Sequence, residues 1–205
     1  MCYHVSLKFD NKKLSQSLGI APSVESVPQG VFNAFDFPQM AILGNNNVQQ
    51  LQIARWGLLP PFADVNFNRV NTLNARIETL EEKKSFKNSI KYRCLIPVSA
   101  FFEWKWLDGK GNRKQKFKIS GIGDFLFLGG LFSEVNGQMS FSIVTTVANE
   151  LMSEIHNIKK RMPLILTKEN KGLWLEGGDL QDFYICDPQL KAISDDLPNP
   201  QLSLF

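Results

Sequence analysis

The residues best equipped for chemistry stand at the start of this 205-residue chain, in Met1-Cys2-Tyr3-His4. Methionine aminopeptidases remove the initiator when the next residue is as small as cysteine, which is expected to make Cys2 the mature N-terminus. An N-terminal cysteine carries an α-amine of pKa about 8 beside a thiol of pKa about 8.5, so part of the amine is neutral at physiological pH. That amine can condense with an aldehyde to an imine, and the thiol can then close on the imine carbon to give a thiazolidine. The plainer reading of Cys2 is a small packing residue that opens a strand.

Other polar residues are out of character with their surroundings. Glu103 lies between Phe101-Phe102 and Trp104, and a carboxyl flanked by aromatics is raised in pKa by desolvation unless it is paired, as suits a general acid or base. Strand alternation would otherwise turn it to solvent or into a salt bridge. His156, one of two histidines, precedes Arg161-Met162-Pro163-Leu164-Ile165-Leu166 and can either move protons near neutral pH or cap a helix. Asn74 and Arg76 read either as site groups or as an N-cap and a helix-surface cation.

The elements that must hold these residues are mostly β. Residues 3–9 alternate as a strand, and Asp10 caps a short helix through Ser17 that Gly19 stops. Segments 31–35, 39–43 and 51–58 read as successive strands of a meander. Residues 74–88, rich in Glu and Lys, read as one or two short helices. Segments 92–98, 100–107, 115–119, 125–133 and 139–147 read as antiparallel strands, with Asp108-Gly109 and Asn136-Gly137 as tight hairpin turns. A helix over 148–156, a strand over 162–166 and a helix over 167–176, capped by Thr167 and ended by Gly177-Gly178, precede an extended tail from Leu190.

With 43% hydrophobic and 21% charged residues the chain reads as one globular domain over 1–190, followed by the tail 191–205. The net charge of +3 permits nucleic-acid binding if the cations cluster. No signal peptide or membrane-spanning stretch is visible, so a cytoplasmic protein without membrane contact is expected. Cys2, Cys94 and Cys186 lack the spacing of a disulfide framework or a zinc site; no metal or cofactor is expected, and Cys94 and Cys186 read as buried thiols.

Several blocks, in order, resemble the SOS-response-associated peptidase family, whose members form covalent adducts with abasic sites in single-stranded DNA. They are Met1-Cys2, Ile20-Ala21-Pro22, Arg55-Trp56-Gly57-Leu58-Leu59-Pro60, Asn74-Ala75-Arg76-Ile77-Glu78-Thr79, Arg93-Cys94-Leu95-Ile96-Pro97 running into Phe101-Phe102-Glu103-Trp104, and Ile155-His156 before Arg161-Met162-Pro163. The resemblance implies an α+β fold on a curved, mostly antiparallel, barrel-like sheet with peripheral short helices. It also implies a site in which Cys2, Asn74, Glu103 and His156 converge, with single-stranded DNA followed by Arg76, Lys84, Phe62, Pro22, Thr145 and Arg161. The implied protein is a bacterial one, monomeric, acting at the nucleoid during replication.

The chain departs from the family pattern where Tyr3 and His4 replace a usual glycine and arginine, where Ser17-Leu18-Gly19 replaces Arg-Tyr-Asn, and in a longer loop from His156 to Arg161. A thiol peptidase that acts on its own Met1 and a non-covalent single-strand-binding module are the alternative readings. Finally, Gln201-Leu202-Ser203-Leu204-Phe205 resembles the pentapeptide that docks bacterial repair proteins on the β sliding clamp, with Leu202, Leu204 and Phe205 as apolar anchors.

Overall fold

The computed structural model describes residues 2–21 and 27–194. Within them the chain runs β1 (His4–Leu7), α1 (Asn11–Leu18), β2 (Gly30–Asn33), β3 (Gln39–Gly44), β4 (Gln52–Trp56), β5 (Asn74–Arg76), α2 (Lys84–Lys87), β6 (Arg93–Val98) and β7 (Ala100–Trp106). It continues through β8 (Lys114–Gly121), β9 (Leu126–Val135), β10 (Gln138–Val147), α3 (Glu150–Ile155), β11 (Arg161–Pro163), β12 (Ile165–Leu166), α4 (Lys171–Leu175) and β13 (Leu190–Ser194). The fold is α+β, with short helices around two sheets.

Five strands close into a barrel, because β10 pairs with β4, β4 with β3, β3 with β6, β6 with β9, and β9 again with β10. Only the β10–β4 contact in this ring is parallel. Closure needs a close approach at Gly130, where an added Cβ would lie 2.4 Å from Ile96 Cδ1 and 2.9 Å from the Ser142 carbonyl. Beyond Gly130, β9 and β10 part and β11–β12 fill the gap: the Leu164 N–H donates to the Val144 carbonyl and the Leu164 carbonyl accepts from Gly129, both at 2.8 Å.

The second sheet has the order β13-β8-β7-β1-β2 and is antiparallel throughout. Between the sheets lies a core of Val5, Met40, Ile42, Trp56, Phe101, Phe141, Met152 and Ile155, with Cys2 among them. A second cluster, with Leu7, Leu14, Ala41, Leu43, Leu95, Leu131 and Trp174, packs the other faces of β3, β6 and β9. Both faces of β6 are therefore covered and all six of its residues are buried, which is why it reads as a continuous apolar run rather than an alternation.

Local signals account for several boundaries. Asp10 accepts hydrogen bonds from the Lys12 and Lys13 N–H groups at the start of α1, and Gly19 ends it at φ 76°. Asn136 and Gly137, at φ 53° and 73°, make the tight β9–β10 turn. Asp108-Gly109 does not form such a turn. The Asp108 carboxylate instead accepts N–H groups of Lys110, Asn112 and Arg113 and organises a longer loop whose positive φ falls at Gly111.

Other expectations are corrected by pairings distant in sequence. The presumed meander is split, since β1 and β2 belong to one sheet and β3 and β4 to the other. Asn74–Arg76 is strand rather than helix, because pairing with β10 overrides the helical pattern around it. Thr167 does not cap α4; its N–H is bound by Asn170 Oδ1 at 2.8 Å. Leu190–Ser194, expected to open a free tail, is an edge strand on β8. Cys94 is buried, whereas Cys186 is only partly so. No helix among the described residues is long and apolar enough to cross a membrane.

Candidate active site

The antiparallel register of β1 on β7 sets His4 opposite Phe102 and Val5 opposite Phe101, which carries Cys2, just before β1, towards the end of β7 that bears Glu103. The pleat gives Phe101 and Glu103 one face, and both are buried, at 0% and 5% exposure. Cys2 is fully buried beside them. Asn74 arrives from β5, held to β10 by the pairing of Asn74 with Ile143. Its side-chain amide donates to the Cys2 carbonyl at 2.9 Å, while its Oδ1 is buried without a hydrogen-bond partner among the described residues.

Burial pushes the Glu103 carboxyl up to about 7, so at neutral pH it is divided between its acid and base forms. Burial, reinforced by the charge of Glu103, also raises the Cys2 thiol well above its ordinary value. The same two influences, burial first, raise the Tyr3 phenol.

His156 terminates α3 as its C-cap residue. Its Nδ1 lies 2.7 Å from the Arg161 carbonyl and 3.2 Å from the Arg161 N–H; only one of these can be a hydrogen bond in a given tautomer, and on the shorter we assign Nδ1–H as the donor, leaving Nε2 as the basic nitrogen. Burial lowers the imidazole pKa, helped by the cations Lys159 and Arg161. The loop after His156 is tied to β7 by Asn157, whose Oδ1 accepts the Trp106 N–H at 3.1 Å and whose Nδ2 donates to the Trp106 carbonyl at 2.9 Å. This double bond to the backbone holds the histidine loop over the strand that carries Glu103.

The residues expected to follow DNA divide into two groups. Arg76, Lys84 and Phe62 are exposed, and the Phe62 ring meets Phe67 edge-on at 6.2 Å between centroids. Arg161 and Thr145 are buried, at 8% and 0% exposure. The Arg161 guanidinium binds both Glu78 oxygens, at 2.5 and 2.9 Å, and donates to the Thr145 carbonyl at 2.7 Å. Burial, the largest single influence, would raise the Glu78 carboxyl, but hydrogen bonds from Arg161 and from its own backbone N–H, together with the charges of Arg161 and Arg76, outweigh it and the pKa ends below the usual value. Pro22 and residues 201–205 lie outside the described residues.

Three residues of this neighbourhood escaped the sequence reading. Glu78 was visible only as part of a motif block, and Asn157 carried no signal apart from its place in a long loop. Lys159, exposed in that loop, lowers the pKa of both Glu103 and His156 by its charge and so lies within reach of both. Among the described residues no group of three His, Cys, Asp or Glu side chains is placed to hold a metal ion.

In a two-sheet α+β fold the site thus gathers a buried cysteine at position 2, an amide on its carbonyl and a carboxyl raised towards neutrality. The chain belongs to the SOS response associated peptidase (SRAP) family, whose model matches residues 1–195. It is 36% identical over 170 residues to the abasic site processing protein YoqW of Bacillus subtilis, covering 80% of this chain and 74% of that one. It is 30% identical over 161 residues to the mouse abasic site processing protein HMCES, covering 62% of this chain but only 45% of the longer mouse protein. A solved structure of a protein from Bacteroides thetaiotaomicron superimposes with a TM-score of 0.81 at 28% identity, over 94% of this chain and 91% of that one.

Proposed function

We propose that the chain processes abasic sites in single-stranded DNA by forming a covalent thiazolidine with the ring-opened deoxyribose through Cys2, once Met1 is removed. The observation that carries this reading is the bond from Asn74 to the Cys2 carbonyl, because it fixes the residue whose α-amine must attack. Asn74 Oδ1 then offers an acceptor to that amine. His156 Nε2 takes the hemiacetal hydroxyl proton and returns it to the ring oxygen as the C1′–O4′ bond breaks and the sugar opens to its aldehyde. The amine nitrogen bonds to the aldehyde carbon, and Glu103 in its acid form protonates the departing hydroxyl, so that water leaves and C=N forms. The Cys2 sulfur then adds to that carbon and its proton passes to the nitrogen; the net change is loss of one water.

A thiol peptidase of the Cys-His type needs its cysteine pushed towards thiolate, whereas burial and the Glu103 charge drive Cys2 the other way. An amine-first reaction tolerates a protonated thiol. The names of the B. subtilis and mouse relatives point to the same lesion. The test is a denaturing gel with single-stranded DNA carrying either an abasic site or its borohydride-reduced form, which has no aldehyde. A shifted band with the first alone supports the reading, and no band with either removes it. The proposal extends to a β-clamp-binding tail at residues 201–205, a single acting chain and a place at replicating DNA in the bacterial cytoplasm.

A further inference from the structure

The mild positive charge of the chain is concentrated in one hairpin. Residues 104–118 carry six cations, Lys105, Lys110, Arg113, Lys114, Lys116 and Lys118, against the single acid Asp108, a local balance of +5 in a chain whose total is +3. This is the β7–β8 hairpin, and its register pairs Trp106 with Lys114, Trp104 with Lys116 and Phe102 with Lys118. Directly paired residues share a face, so rings and lysines alternate on the face opposite to Phe101 and Glu103. Lys114 lies over the Trp106 ring at 5.0 Å, and Lys116 over the Phe102 ring at 4.6 Å. Trp104 and Trp106 are partly exposed, and Lys114 and Lys118 are exposed. The face begins beside the site, since the His4 ring meets Trp104 edge-on at 4.9 Å and His4 follows Cys2 by two residues.

We propose that this outer face of the hairpin is a second binding surface for single-stranded DNA, taking the strand that flanks the lesion, with Trp106 as a base-stacking platform and Lys114, Lys116 and Lys118 as phosphate contacts. The identification of the strand as the flank of an abasic lesion rests on the proposed function; the surface itself rests on the charge and the rings. Gly111 packs against the Trp106 ring, where an added Cβ would lie 2.5 Å from Cζ3, and cations set beside such partly exposed rings match a polyanion whose bases are unstacked, since stacking is indifferent to sequence. A base that arrives on Trp106 displaces Lys114 towards the adjoining phosphate. A duplex keeps its bases stacked and offers this face charge alone.

The test titrates the full chain with an unmodified single-stranded thymidine oligomer of about 20 nucleotides, longer than the ~4–16 that one such groove occupies. Of the four tryptophans, Trp56 and Trp174 are fully buried, so quenching reports Trp104 and Trp106. The expected result is quenching by the oligomer that falls by about half in Trp106→Phe and is weak with a duplex of equal length. The Lys114→Gln, Lys118→Gln double variant, changed only at exposed positions, should keep its melting temperature. Its log affinity should fall less steeply with log salt, by about 1.4 for two lost phosphates. An unchanged slope and affinity in the double variant, equal quenching by duplex, or binding confined to anionic lipid vesicles overturns the proposal. Adduct formation on an abasic oligomer too short to reach the hairpin is scored on the same preparations. Its absence in the wild type, with quenching and slope as expected, brings down the covalent reading and leaves this surface standing.

Discussion

Asn74 and Cys2, 72 residues apart in sequence, are joined by a hydrogen bond of 2.9 Å from the amide nitrogen of Asn74 to the main-chain carbonyl of Cys2. The bond orients the residue through its backbone carbonyl and engages neither its sulfur nor its α-nitrogen. Asn74→Ala should cost about 1 kcal/mol of stability, the worth of one such bond. Adduct formation should slow far more, on the order of 10²-fold, because the attacking amine is no longer positioned. Thermal melting beside single-turnover kinetics separates the two effects; a rate loss no larger than the stability loss would make Asn74 a packing residue.

Glu103 ties rate and stability to one titration. Its carboxyl is raised from 4.5 to about 7 by burial, so below pH 4.5 it is protonated in the folded and the unfolded chain alike and contributes its full share of stability. As pH rises through 7 the folded chain must hold a buried charge that the unfolded chain carries at little cost, and that stability is lost. Glu103→Gln should therefore melt like the wild type at pH 4 and higher than it at pH 8, by at most ~3 kcal/mol. The same substitution should slow adduct formation by roughly 10²-fold and abolish any kinetic inflection near pH 7. An inflection that survives the substitution would belong to another group.

Arg161 and Arg76 should behave in opposite ways. Removing Arg161 strands Glu78 in a half-buried site, so Arg161→Ala should destabilise by up to ~3 kcal/mol without altering the salt dependence of DNA binding. Arg76→Ala, at an exposed position, should leave melting unchanged and reduce the salt slope on single-stranded DNA by about 0.7. Salt titrations of both variants check the pair; a shallower slope in a stably folded Arg161→Ala would return that residue to the DNA track.

What could be read from the sequence was set by range. The caps of α1 at Asp10 and Gly19 and the Asn136-Gly137 turn are decided within a few residues, and the strands from β6 to β10 are dense enough in aromatic and β-branched residues to be placed within one or two positions. Asn74–Arg76 was misread because its neighbours are helix formers and its partner strand begins more than 60 residues later. The ion pair of Arg161 with Glu78 went unread because the two lie 83 residues apart, and no local pattern announces a pair so distant. Periodicity would not have brought Asn74 to Cys2 either. The two were grouped only through the family's motif blocks, and the hairpin lysines were overlooked because a charge run usually means a solvated face.

The tail is testable apart from the domain. A labelled peptide spanning residues 199–205 should bind a bacterial β clamp with a dissociation constant on the order of micromolar, as a few apolar anchors on an extended segment allow. Fluorescence anisotropy measures it, and replacing Leu204 and Phe205 by alanine should abolish binding while the full chain melts unchanged. A peptide that does not bind removes the clamp from the proposed partners.

The central claim is that Cys2 supplies both the nitrogen and the sulfur of the adduct. The direct measurement is the intact mass of the complex formed between the Met1-processed chain and abasic single-stranded DNA, with and without borohydride, for wild type, Cys2→Ser and Cys2→Ala. The account predicts a wild-type adduct lighter than its components by one water and stable without reductant, a Cys2→Ser adduct trapped only with borohydride, and no stable unreduced adduct for Cys2→Ala. A Cys2→Ala chain that crosslinks like wild type without reductant, or a wild-type adduct seen only after reduction, would contradict it.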